Sequence, residues 1–269
     1  MDIQKYLDSR TELTNQSIKV YRNSYDRLKA LLKPRAAFNQ KNILSALSNY
    51  DGDKTSLLVV SILLLKHHNK PVKRLEDMKK TLQDERDAKS KQTNRDRLDS
   101  TITYDQLMTL PSLAKTDQEY VIWKLLLDFN TRNKDLIIKH LDEPNDTDNS
   151  MVVFGDTVIY TRCDYKTKSK YGTKTHRITD PRIVEFVKTI PMDECLIKTN
   201  RGNPVKSDCM SKYIAQLGNR HYPDSNITQQ IIYKILKLHA DETNDLRMTE
   251  EMSSNRGHSM EVAAQYYRS

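Results

Sequence analysis

"MVVFGDTVIYTRCDYKTKSKYGTKTHRIT", residues 151–179, is the stretch that decides the fold. Elsewhere the apolar residues recur at helical steps, but here they fall into short β-branched blocks. "MVVF" and "TVIYTR" read as two strands joined at Gly155-Asp156, because a Gly-Asp pair between such blocks favours a tight hairpin. "THRIT" reads as a third strand. The turn before it carries Lys166, Lys168, Lys170 and Lys174.

On the N-terminal side, "LDEPNDTDNS" is an acidic loop and "DQEYVIWKLLLDFN" a buried helix holding the only tryptophan, Trp123. "TITYDQLMTL" is a short helix that Thr103 can cap. Further back, "SIKVYRNSYDRLKALL" places Ile18, Tyr21, Tyr25, Leu28 and Leu32 on one apolar stripe, and Pro34 stops that helix. "KTSLLVVSILLLKHHN" is apolar on nearly every side and is expected at the centre of a small bundle. "KKTLQDERDAKSKQTNRDRLDS" alternates charges with almost no apolar residues, which predicts an exposed helix giving way to a linker from about Asp87. Beyond Pro181 five helical segments follow, and no internal repeat is visible. The expected fold is mainly α with a small antiparallel β-sheet: a helical domain over 1–95 and a second domain over 96–269.

With 269 residues the chain is long enough for one large domain or two ordinary ones. It is 37% hydrophobic and 30% charged, polar for a globular protein but not disordered. The run Leu57 to Leu65 is too short to span a bilayer, and no segment has the pattern of a signal peptide. Cys163, Cys195 and Cys209 lack disulfide or metal spacing, so a reduced intracellular site and no secretion are expected. A net charge of +8 and a pI near 9.2 point to a polyanionic partner.

Three groups of residues could carry chemistry. Arg132 follows the Trp123 helix, and its guanidinium fork suits phosphate oxygens, with Asp135 three residues on as its support. On these two alone, a surface ion pair is the simpler reading. The turn lysines can reach a DNA groove or donate a proton, or can simply be a solvated basic turn. His258 follows Gly257 at a helix start, two turns before Tyr266 and Tyr267. Adjacent helical residues point about 100° apart, so at most one tyrosine shares a face with His258. A tyrosine needs cations around its target phosphate to act as a nucleophile. The acidic residues Asp142, Glu143, Asp146 and Asp148 match no calcium loop. His67-His68 complements a helix end, and no phosphate loop, HExxH or nucleophilic Ser or Cys motif is present.

In combination these segments resemble the tyrosine recombinases, the integrase-type family of DNA breaking and rejoining enzymes. "TRNKDL" is similar to the family's Arg-x-x-Glu/Asp-Leu box, which implies that Arg132 is the first catalytic arginine and Asp135 its second-shell support. "DYKTKSKYG" resembles the sheet turn with the catalytic lysine, and its Lys-Thr pair selects Lys166. "RGHSMEVAAQYY" is close to the Gly-His-Ser box, whose nucleophile lies nine residues after the histidine, at Tyr267. The first domain resembles the family's core-binding domain, and the second its catalytic domain. A fainter likeness is to versions from large DNA viruses and their satellites, which would place the protein in host cytoplasm or nucleus.

The resemblance implies double-stranded DNA as partner, self-assembly on it as dimer or tetramer, and no metal, small-molecule cofactor or membrane. Lys168, Lys170, Lys174 and Arg256 are then expected to touch DNA. One box departs from the pattern. The His-x-x-Arg box expected about two dozen residues before Gly-His reads "SNITQQIIYKILKLH", with Lys234 as the available stand-in. A lysine cannot reproduce bidentate guanidinium contacts. The alternatives are a weakened or inactive recombinase-like binding protein and, with less support from the carboxylates, a metal-dependent nuclease.

Overall fold

The computed structural model describes residues 3–10, 13–99, 101–165 and 168–256. The chain divides into two compact units, Met1–Thr93 and Asn94–Ser269.

The first unit is helical: α1 (Ile3–Asp8), α2 (Asn15–Leu31), α3 (Gln40–Ser48), α4 (Thr55–His67) and α5 (Lys73–Asp99), the last running on past Thr93. The Thr14 hydroxyl caps α2 by accepting from the Ser17 amide, and Asn39 caps α3 in the same way from Asn42. The stripe on α2 turns Tyr25 and Leu28 into the core. α2 ends where Leu32 becomes extended, two residues before Pro34. α4 is buried on two sides. Leu57, Leu58 and Leu65 pack with Leu28, Ile43, Leu47 and Leu75, while Val60 and Leu64 pack with Ile3, Tyr6, Leu7 and Tyr25. Its one buried hydroxyl, on Ser61, donates to the Leu57 carbonyl at 2.7 Å, so burial costs it no hydrogen bond.

The stretch from Asp87, expected as a linker, is helical as far as Asp99. Nothing from Lys73 to Asp99 breaks a helix: there is no Gly or Pro, and the residues are mostly Lys, Arg, Glu, Asp and Gln. Such a sequence is a competent solvated helix when its side chains pair along it, as Gln83 does with Asp87 at 2.8 Å.

The second unit is built from α6 (Tyr104–Leu113), α7 (Asp117–Asp128), β1 (Ile138–His140), β2 (Asn149–Phe154), β3 (Thr157–Arg162), α8 (Lys168–Tyr171), β4 (Lys174–Ile178), α9 (Pro181–Lys188), α10 (Ser207–Asn219), α11 (Gln229–Glu242) and α12 (Leu246–Arg256). Thr103 and Gln106 close a full capping box on α6. Trp123 is fully buried in α7, in one core with Leu107, Tyr160, Ile183, Ile214 and Tyr233. α7 packs on α6 and α9, and α11 on α12.

The sheet order is β1-β2-β3-β4. β2–β3 and β3–β4 are antiparallel, but β1 pairs with β2 in parallel. The expected antiparallel sheet is therefore corrected to a mixed one of four strands. Gly155 turns the β2–β3 hairpin at φ +58°, where a side chain would be strained.

Candidate active site

The site is built from a turn, a strand pair and a helix end, all within the second unit. α7 stops at Asp128, and Asn130 at φ +49° swings the chain aside. The next residues close on themselves. The Arg132 amide donates to Asp135 Oδ2 at 3.0 Å, and the Asp135 amide donates to the Arg132 carbonyl at 2.9 Å. Arg132 and Asp135 thus face each other across a turn, joined through the Arg132 backbone and not as a surface ion pair.

Asp135 does more than close that turn. Its Oδ2 also accepts from Arg162 Nη1 at 3.2 Å, with Asp135 2% and Arg162 1% exposed. The guanidinium held by this carboxylate is that of Arg162, a residue the sequence motifs do not mark. One signal was present: Val158, Tyr160 and Arg162 alternate along β3, so they share its inward face. The Tyr160 hydroxyl donates to the Asp135 carbonyl at 2.8 Å, which fixes the turn to the strand. The other nitrogen of the fork, Arg162 Nη2, lies 3.0 Å from His176 Nε2. Burial first, then the charges of Arg162 and Lys174, lower the His176 pKa to about 4. His176 is therefore neutral at physiological pH and accepts from Arg162.

The connection from β3 to β4 is anchored on Asn149, a buried residue of β2. Its Oδ1 accepts from the amides of Cys163 and Asp164 at 3.0 and 2.8 Å, and its Nδ2 donates to the Lys134 carbonyl at 3.1 Å. One side chain therefore ties the Arg132 turn to the lysine-bearing connection. Lys134 and Asp164 add an exposed ion pair at 2.5 Å. The Tyr165 hydroxyl donates to the Gly172 carbonyl at 2.6 Å and draws the loop shut. What reads as a basic turn contains one helical turn, α8. Lys168 Nζ donates to the Asp146 carbonyl at 2.7 Å, and Lys170 is exposed.

Lys174 differs from these two. It opens β4 directly opposite Arg162, and its Nζ donates to the Ser254 carbonyl near the end of α12. Burial, then Arg162, with Arg132 adding to it and Asp135 opposing, lowers its pKa from 10.5 to about 8. Arg132, Arg162, Lys174 and Asp135 thus share one electrostatic site.

At the end of α12, Arg256 is 4% exposed. Its guanidinium lies 3.8 Å from the centre of the Tyr233 ring, and Nη2 donates to the Gln229 carbonyl at 3.2 Å. Arg256, expected as a DNA contact, here ties α12 to α11. Lys234 follows Tyr233 on α11 and is half-buried. Lys166, His258, Tyr266 and Tyr267 lie outside the described residues.

Among the described residues no group of three or more His, Cys, Asp or Glu side chains is placed to hold a metal ion. The acidic loop after β1 is largely exposed, and Asp148 pairs with Lys139 at 3.1 Å. No described helix is long and apolar enough to cross a membrane.

The chain is similar to the crystal structure of XerA recombinase, with a TM-score of 0.44 and 13% sequence identity, over 99% of this chain and 93% of that one. A viral source finds no support in that likeness. No family model matches the sequence, and no curated protein matches it.

Proposed function

We propose that this protein breaks and rejoins double-stranded DNA through a covalent 3′-phosphotyrosine link, without metal. The observation that carries this reading is the gathering of Arg132, Arg162 and Lys174 around one buried carboxylate, within a basic chain. Fixed cations of this kind stabilise charge on a phosphate in transit and need no reorganisation during the reaction. Tyr267 attacks the scissile phosphate, and the bond energy is kept in the phosphotyrosine for rejoining. Arg132, His258 and Lys234 neutralise the nonbridging oxygens. A lysine of the β3–β4 connection, of which the motif names Lys166, protonates the leaving 5′ oxygen. Lys168 and Lys170 hold the DNA backbone, the two units clamp the duplex, and copies assemble on it as dimers or tetramers at intracellular DNA.

A second reading, a DNA-binding protein without the chemistry, is favoured by the lack of any arginine in 225–239. Incubation with a nicked suicide substrate in chelator separates the two. The enzyme leaves protein covalently on DNA, and Tyr267→Phe abolishes the adduct while binding persists. Tyr266→Phe changes little. Binding with no adduct supports the second reading, and cleavage that returns only with added divalent metal indicates a nuclease.

A further inference from the structure

Across the β3–β4 pair, Arg162 and Lys174 stand directly opposite each other. Like charges in that position destabilise a sheet, and here Arg162 is buried while Lys174 is half-buried. Arg162 is neutralised by Asp135. Lys174 has no carboxylate in ion-pair contact among the described residues, and its Nζ donates to the Ser254 carbonyl. Every element packed around it contributes. β3 supplies Arg162, the Arg132 turn supplies Arg132 and Asp135, and β4 itself supplies neutral His176. The connection supplies the rings of Tyr165 and Tyr171, 5.9 and 5.7 Å from Nζ. An arrangement that spends stability on an ammonium directly opposite a guanidinium is explained better by function than by folding.

We infer that Lys174 is the group that protonates the leaving oxygen, and that buried Arg162 is the positioning residue that readies it. The inference rests on the DNA-rejoining reading and deepens it. In the step, the Tyr267 oxygen bonds to phosphorus as its proton passes to water. The bond from phosphorus to the 5′ oxygen breaks, and its electron pair stays on that oxygen. The Lys174 ammonium hands it a proton, giving a 5′ hydroxyl and a neutral amine. On rejoining the proton returns, and nothing is oxidised or reduced. A donor works best when its pKa lies near the working pH. Burial and Arg162 bring Lys174 to about 8. Lys168 is held by the Asp146 carbonyl, and Lys170 is exposed.

The test measures adduct formation by the full-length protein on a normal phosphodiester and on a 5′-bridging phosphorothioate, whose sulfur leaves without a proton. Lys174→Ala is expected to slow the normal substrate by roughly 100-fold or more, and to come within a few-fold of the natural protein on the phosphorothioate. Lys166→Ala is expected to show no such rescue. In the natural protein the rate of adduct formation is expected to fall above about pH 8. Arg162→Gln moves that limb to higher pH, whereas Arg162→Lys, which keeps the charge, leaves it in place. Rescue at Lys166→Ala instead, or equal losses on both substrates for Lys174→Ala, overturns the inference and leaves the enzyme reading intact. No adduct from the natural protein on either substrate overturns the enzyme reading, and the inference with it.

Discussion

Asp135 accepts from the Arg132 backbone amide and pairs with the Arg162 guanidinium, and all but 2% of its surface is buried. Removing one partner of a buried pair leaves the other charge uncompensated, at a cost of about 3–5 kcal/mol. Asp135→Ala is therefore expected to lower the unfolding free energy measured in urea by that order. Asp135→Asn costs less, since it keeps an acceptor for the Arg132 amide. Equal small losses in both variants would show that Arg162 finds another partner. At this scale the sequence was partly legible. The spacing of Arg132 and Asp135 announced that they interact, but not that they do so through the backbone in a turn. Arg162 was hidden because arginine is ordinarily a surface residue, and its partner stands 27 positions away in the chain. Only the alternation along β3 pointed inward.

The elements that were hardest to read are those whose reasons are not local. β1 has three residues and owes its place to a parallel partner in β2 and to backbone bonds with Glu194 and Leu196, more than 50 positions on. No window of sequence contains that information. The extent of α5 was missed for the opposite reason: its charges suggested a solvated linker, yet the same residues are good helix formers. The hairpin of β2 and β3, with both strands and its Gly-Asp turn in one stretch, was legible outright. Packing between elements gives a further expectation. In α10, a methyl added at Gly218 would stand 2.9 Å from Ile227 Cδ1 and 3.0 Å from Ile227 Cβ, and Ile227 is fully buried. Alanine gains about 1 kcal/mol over glycine in a helix, but overpacking of this kind costs about 1–3 kcal/mol. Gly218→Ala should thus be neutral to destabilising by up to about 2 kcal/mol in urea unfolding. Adding Ile227→Val, which removes the nearest carbon, should recover part of any loss. A more stable Gly218→Ala protein would mean that Ile227 has room to turn away.

For the whole molecule, the shift from apolar helices to a charged stretch and then to strands carried the two-part organisation, and each unit has a core of its own. What the sequence could not show is how binding to DNA is shared between the units, because net charge is a sum over the chain. If both grip the duplex, as proposed, each displaces counterions from the phosphates it touches. The slope of log affinity against log salt then records the total, at roughly 0.9 per phosphate contact on duplex DNA. Removing residues 1–95 should weaken binding and flatten that slope. Phosphate contacts are expected to be spread over both units, because they position a protein on the duplex without reading bases. The remaining fragment keeps the Trp123 core, so its fold can be checked by tryptophan fluorescence before binding is measured. A folded fragment that binds more weakly with an unchanged slope would place the phosphate contacts in the second unit alone. The first unit would then act on affinity by some route other than charge, and the clamp would be wrong.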